Sequence, residues 1–209
     1  MKRTSSVPEE FALLLACMEA ISDPRHARGK GHPLAGVLSL TVLALMGGAC
    51  SLSDITRFGK LHPEVLGPLG LRRSPSVATL GRLLRLLSVA EVRRALLDFA
   101  RQLNERRHGK DGLAVVAADG KTLRGVGEDG KQAHVLHLFA QKAALALDQV
   151  AVPHHKGEIE ATKTWLEQVA KDFPSLAILT GDAQLAERDL CVAIIAAQRD
   201  YVFRLKKTN

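Results

Sequence analysis

Residues 113–124 read Leu-Ala-Val-Val-Ala-Ala-Asp-Gly-Lys-Thr-Leu-Arg, an apolar run that delivers Asp119 and then a Gly-Lys step. A short run of this kind, β-branched at its centre and closed by Asp-Gly, predicts a buried strand with Asp119 at its exit. The pattern recurs at 176–182, where Leu-Ala-Ile-Leu-Thr-Gly-Asp places Asp182 at the exit of a second strand. A carboxylate beside buried backbone is costly unless it is paired or binds a cation. Two of them at the edge of one sheet supply the hard oxygen ligands a divalent metal takes, which suggests phosphoryl chemistry. Each has a plainer reading when taken singly: Asp119 as a turn residue, Asp182 as a helix N-cap.

The flanking segments set these strands in order. Asp129-Gly130 is a good hairpin turn, and strands are expected near 133–140 and 145–153. Ile159, Thr162, Leu166, Val169 and Phe173 then recur at helical spacing. After Asp182 come a mostly apolar helix over 185–198 and an apolar strand over 201–205. The order is β-β-β-α-β-α-β: three antiparallel strands, then right-handed crossovers. This is an α/β chain with the mixed sheet of an RNase H-like core. In such a sheet the first and fourth strands are neighbours, so Asp119 and Asp182 are expected to meet. Two-metal phosphoryl transfer needs that convergence, with cations held about 4 Å apart.

Lys121 and Arg124 follow the first carboxylate. They can hold a DNA phosphate, arginine by a two-pronged contact, or can equally form an exposed basic hairpin. Gly120-Lys121-Thr122 is not a P-loop, because Val115 occupies the first glycine position and no helix follows. His134 and His137 fall on opposite faces of their strand, which argues against a shared metal. His154-His155-Lys156 reads as loop.

Residues 1–112 have a different texture and read as all helical. Ser6-Val7-Pro8-Glu9 is a capping box, with Phe11, Leu14, Leu15 and Met18 following at helical spacing. Residues 25–32 (Arg-His-Ala-Arg-Gly-Lys-Gly-His) form a basic, glycine-bearing loop. No charged residue occurs from Pro33 to Ser53, but the strongly apolar part is only Leu34 to Met46, which fits a buried helix better than a membrane span. A helix near 52–60 precedes a loop holding Pro63, Gly67, Pro68 and Gly70. Ser76 caps a helix over 77–87, with Val77, Leu80, Leu84 and Leu87 on one face and Arg82 and Arg85 on another. The helix at 89–103 is expected to turn Val89, Val92, Leu96, Phe99 and Leu103 inward. Arg72, Arg73, Arg82 and Arg85 surround a helix that resembles the second helix of a helix-turn-helix unit, although the linker before it is long for that motif. The loop at 104–112 then separates a basic helical domain, 1–112, from a catalytic-type domain, 113–209.

Charge follows the same division. The chain has 209 residues and a formal net charge of +7. Residues 1–112 carry 17 Lys/Arg against 10 Asp/Glu, and residues 113–209 carry 12 against 12. A basic half joined to a neutral half points to a polyanionic partner, either nucleic acid or an acidic membrane surface. Cys17, Cys50 and Cys191 are odd in number and widely spaced, as in a reducing cytoplasm, and the N-terminus lacks a secretion signal.

At these residues the chain resembles bacterial insertion-sequence transposases of the ISAs type, also called H-repeat-associated proteins, of the DDE superfamily. The resemblance is carried in the first half by Asp23-Pro24-Arg25, Gly31-His32-Pro33-Leu34 and Ser76-x-x-Thr79-Leu80. In the second half it is carried by Asp119-Gly120-Lys121-Thr122-Leu123-Arg124-Gly125, Lys156-Gly157-Glu158-Ile159, Thr180-Gly181-Asp182-Ala183 and Asp200-Tyr201-Val202-Phe203-x-x-Lys206. It implies metal-dependent DNA cleavage and strand transfer at transposon ends. Mg²⁺ (or Mn²⁺) would be the cation, double-stranded DNA the partner and a homo-oligomer the working form, in the cytoplasm at the nucleoid and without a membrane. Asp119 and Asp182 correspond to the first two acids of the triad. Glu158 falls in a family motif without taking the third acid's role. Two departures stand out. Gly157 replaces the usual asparagine, and the chain stops at Lys206-Lys207-Thr208-Asn209, ahead of the third acid. The expectation is therefore a truncated transposase of impaired activity. The alternatives are a non-catalytic DNA-binding remnant, or a stand-alone RNase H-like nuclease that recruits Glu158 or Glu187.

Overall fold

Helix α1 (Glu9–Glu19) opens with two acidic residues in its first turn, where they complement the helix dipole, and buries Leu13, Leu14, Cys17 and Met18. The computed structural model describes residues 9–108, 115–123, 133–141, 145–152, 157–169 and 173–205. The capping box at Ser6, Arg124, the turn at Asp129-Gly130, His154-His155-Lys156 and Lys206 lie outside these. The chain divides into two compact units, Met1–Phe99 and Ala100–Asn209.

In the first unit, the uncharged stretch becomes α2 (Leu34–Met46), buried from Leu34 through Leu40 except at Ala35, and again at Ala44. A helix that is apolar all round belongs inside a core, and Val37 and Leu40 are fully buried. No helix among the described residues is long and apolar enough to cross a membrane. Gly36 is required by a close approach: a Cβ there would run into the backbone carbonyl oxygen of Leu69. Helix α3 (Leu52–Leu61) starts at Ser51, whose hydroxyl accepts the Asp54 amide at 3.1 Å. A short helix, α4 (Pro63–Leu66), precedes the loop to α5 (Val77–Leu86). Thr56 Oγ1 donates to the Pro75 carbonyl and Ser74 Oγ donates to the Thr56 carbonyl, which ties α3 to this loop. The long α3–α5 connection departs from the tight turn of a helix-turn-helix unit.

Two helical faces differ from the sequence reading. On α5 the buried residues are Leu80 and Leu83, whereas Val77 is 42% and Leu84 36% exposed. Helix α6 (Val89–His108) runs beyond the expected end at 103. It buries Ala95, Ala100 and Leu103 and leaves Val89 81% exposed. Leucines crowd several sides of these helices, so periodicity marks more than one apolar stripe. The packing of the first unit's core selects Leu80, Leu83 and Ala95 as the covered residues.

The second unit is built on one five-stranded mixed sheet of order β3-β2-β1-β4-β5, comprising β1 (Val115–Leu123), β2 (Ala133–Ala140), β3 (Leu145–Val152), β4 (Ile178–Gly181) and β5 (Asp200–Phe203). The first three strands pair antiparallel. Strand β4 is parallel to β1, and β5 to β4. Helix α7 (Glu158–Val169) forms the β3–β4 crossover and α8 (Arg188–Ala196) the β4–β5 crossover. Val116, Ala118, Leu136 and Leu138 alternate onto one buried face of the sheet. The start of α7 meets that face, because Glu158 fills the space over Gly120. Trp165, Leu166, Leu190 and Ile194 supply the buried sides of α7 and α8.

Strand β1 corrects the reading of Asp119 as an exit residue. The parallel ladder with β4 ends at Ala118↔Gly181, but the antiparallel ladder with β2 continues to Leu123↔Ala133. Asp-Gly is a turn signal only in local terms, and continued pairing with β2 keeps it extended.

Candidate functional site

The register of β1 against β4 decides how the two aspartates stand. Ala118 and Gly181 are the last paired residues, so Asp119 and Asp182 are the next residue on each of two neighbouring parallel strands. Such strands lie about 4.8 Å apart. A Cβ at Gly181 would meet Leu185, while Ala118 beside it is buried. Alternation therefore turns Asp119 toward the opposite face, and Asp182 follows Gly181 at the matching position.

Asp119 is exposed, and its Oδ2 lies 3.8 Å from Lys121 Nζ on the same face. Pairs this open contribute little to stability, which leaves both groups available to a ligand. Across the ladder Asp119 sits opposite His137. Burial is the main cause that pushes the His137 pKa below its ordinary value, and Lys121 adds to it while Asp119 opposes it. The His137 Nδ1 pairs with Gln149 Nε2 at 3.3 Å. His134 is on the other face, with Nδ1 2.9 Å from Thr122 Oγ1. His137 is the neighbour that sequence reasoning missed. Its signal was the hairpin register, which needs the length of the β1–β2 turn.

Asp182 serves locally as a turn residue: its Oδ1 accepts the Gln184 amide at 2.8 Å and its carbonyl accepts the Leu185 amide at 3.3 Å. It is not the cap of α8. That helix starts later than expected, at Arg188, with Glu187 at its N-cap and no side-chain capping bond.

The donor set suits a hard cation, since Mg²⁺ is commonly held by one or two carboxylates together with water and substrate phosphate. Among the described residues no group of three or more His, Cys, Asp or Glu side chains stands ready to hold a metal. Glu158 is not brought to the pair. Its carboxylate occupies the position a Gly120 Cβ would take, on the face opposite Asp119. A third acid from Glu158 or Glu187 thus finds no support in this conformation.

The arginines fall into two sets. Arg73 and Arg82 line one cavity in the first unit together with Arg25, His26 and His32. Arg72 is exposed outside it, and Arg85 donates through Nε to the Gly81 carbonyl of its own helix.

Residues 15–100 match the family described as DDE_Tnp_1-associated. The chain is 29% identical over 202 residues to "Putative protein YbfL" of Escherichia coli K12, covering 94% of this chain and 52% of that protein. It is 28% identical over 205 residues to "H repeat-associated putative transposase YhhI" of the same organism, covering 96% and 52%. It is 27% identical to "H repeat-associated putative transposase YbfD", covering 94% and 77%. The chain thus spans about half the length of the first two of these relatives. Among solved structures, a piggyBac transposase synaptic complex with hairpin DNA aligns with TM-score 0.40 and 11% identity, over 97% of this chain and 49% of that one. A pre-cleavage Mos1 transpososome aligns with TM-score 0.29 and 11% identity, over 86% and 61%. Those scores are too low to argue from. The sequence comparisons carry the relationship: residues 15–100 match the DDE_Tnp_1-associated family, and along nearly its whole length this chain is similar to proteins named H repeat-associated putative transposases.

Proposed function

We propose that the chain is a DNA transposase of an insertion sequence, with residues 1–112 as a DNA-binding helical domain and residues 113–209 as an RNase H-like catalytic domain. The observation that carries this reading is the register of β1 and β4, which sets Asp119 and Asp182 side by side beyond the last paired residues. The strand order, with β1 between an antiparallel and a parallel neighbour, supports the RNase H-like assignment. Asp119 and Asp182 would hold Mg²⁺ or Mn²⁺. When bound, the cation activates the attacking oxygen and stabilises the leaving one. Lys121, beside Asp119, would hold a backbone phosphate of double-stranded DNA. Among the described residues no third carboxylate joins the pair, and two offer a cation less charge than three, so weak cleavage is the expectation.

A second reading, a DNA-binding protein without catalysis, is favoured by the separate basic cavity of the first unit. One experiment divides the two. The full chain is incubated with supercoiled plasmid in Mg²⁺, with EDTA and the Asp119→Asn variant as controls. The enzyme reading expects Mg²⁺-dependent nicking that falls about 100-fold or more in Asp119→Asn. Nicking at the same rate in wild type and variant would overturn it, and DNA binding with no nicking in Mg²⁺ or Mn²⁺ selects the second reading.

A further inference from the structure

The loop at residues 25–32 has no part in the chemistry described above, yet it is closely organised by one arginine. Asp23 and Arg25 form a two-pronged ion pair, with Nε–Oδ1 2.8 Å and Nη2–Oδ2 2.9 Å. The guanidinium also donates to the carbonyls of His32 at 2.8 Å and Gly29 at 3.4 Å, so one buried side chain, 8% exposed, pins both ends of the loop. Arg25 is thus committed to structure, and Asp23 takes up its charge.

The loop forms one wall of a cavity of about 560 Å³, and Arg73, Thr79, Arg82, Leu83 and Leu86 form the other. Arg73 and Arg82 have no carboxylate partner among the described residues. Among the described residues no acidic side chain lines the cavity. His32 reports the local potential: burial first, then the charges of Arg73 and Arg25, hold its pKa below the ordinary value. A pinned loop facing two unneutralised guanidiniums is a preformed receptor for an anion with several acceptor oxygens, and arginine forks match phosphate oxygens.

The geometry points to this cavity as a phosphate pocket that seats a backbone phosphate of duplex DNA between Arg73 and Arg82. Identifying the phosphate as DNA's rests on the transposase reading, whereas the basic pocket does not. It does not depend on a recognition helix lying in the major groove, because the contact is to phosphate and carries no base information.

The test uses the full chain in EDTA, which separates binding from any metal chemistry, and a fluorescein-labelled 20-base-pair duplex of arbitrary sequence read by anisotropy. The Arg73→Ala/Arg82→Ala variant is expected to bind the duplex at least about tenfold more weakly, with the log–log salt slope reduced by about one to two. Arg57→Ala, which removes an arginine already paired with Asp54, is expected to change affinity less than about twofold. The Arg73→Lys/Arg82→Lys variant should recover part of the loss. Unchanged duplex affinity in the double alanine variant overturns the proposal. So does loss of inorganic phosphate binding, followed by ³¹P line width, with duplex affinity retained, which would make the pocket a small-phosphate site. If Asp119→Asn fails to alter nicking while the arginine variant still loses DNA, the transposase chemistry falls and the pocket stands.

Discussion

The two units secure their helices by different means. In the helical unit, α3 and α5 begin on their own side chains: Ser51 accepts the Asp54 amide and Ser76 accepts the Thr79 amide at 3.2 Å. In the sheet unit, α8 begins at Glu187 with no side-chain capping bond, and its position is set by the strands it joins. Glycine makes the same contrast. Gly36 yields space to a backbone carbonyl, whereas Gly120 yields space to the carboxylate of Glu158, the end of a flexible side chain. Helices α3 and α5 are therefore fixed at their starts by local signals, whereas α2, like α8, begins without a side-chain cap and is placed by packing.

Substituting the two glycines is the harshest way to break this comparison. Gly36→Ala should destabilise the first unit by about 3 kcal/mol, because the carbonyl it strikes cannot rotate away. Gly120→Ala should cost under about 1 kcal/mol, since Glu158 can change rotamer. Urea unfolding followed by hydrogen exchange, resolved by unit, measures both, and equal effects would erase the distinction.

The Asp23–Arg25 pair comes next. Its arginine holds Asp23 at a pKa of about 2, down from 3.8, so this carboxylate is ionised more readily in the folded chain than in the unfolded one. The stability it contributes is fully present above pH 3.8 and is lost as the pH falls through about 2. Asp23→Asn should cost about 2 kcal/mol at pH 6, and less as the pH drops toward 2. A constant difference across that window would show that the pair is not what pins the loop.

The caps give the smallest effects. Ser76→Ala should lower the protection of α5 amides by about 1 kcal/mol, whereas Glu187→Ala should change α8 by less than about 0.5 kcal/mol. A larger loss at Glu187 would mean that α8 too depends on local signals.

The same contrast explains what could be read in advance. The bounds of α2 followed directly from the strongly apolar part, 34–46, of the uncharged stretch, and the start of α5 from Ser76. The faces of α5 and α6 did not follow, because Leu80, Leu83, Leu84 and Leu87 offer overlapping stripes and only packing chooses between them. The strand carrying Asp119 was legible, but its end was not. Asp-Gly is a turn signal in isolation, and β2 pairing overrides it through Leu123. The pairing of Arg73 with the loop at 25–32 left no trace in spacing, since it joins segments more than forty residues apart.

Sequence by itself determined the local elements, the basic first half and the two acidic residues at the ends of apolar runs, because capping, hydrophobic period and charge act over a few residues. Tertiary structure alone decided which helix faces are buried, that Asp119 lies within a strand opposite His137, and that Glu158 stands across the sheet from it. Those outcomes depend on register and on close approach between distant segments, where a shift of one residue would turn every side chain to the other face.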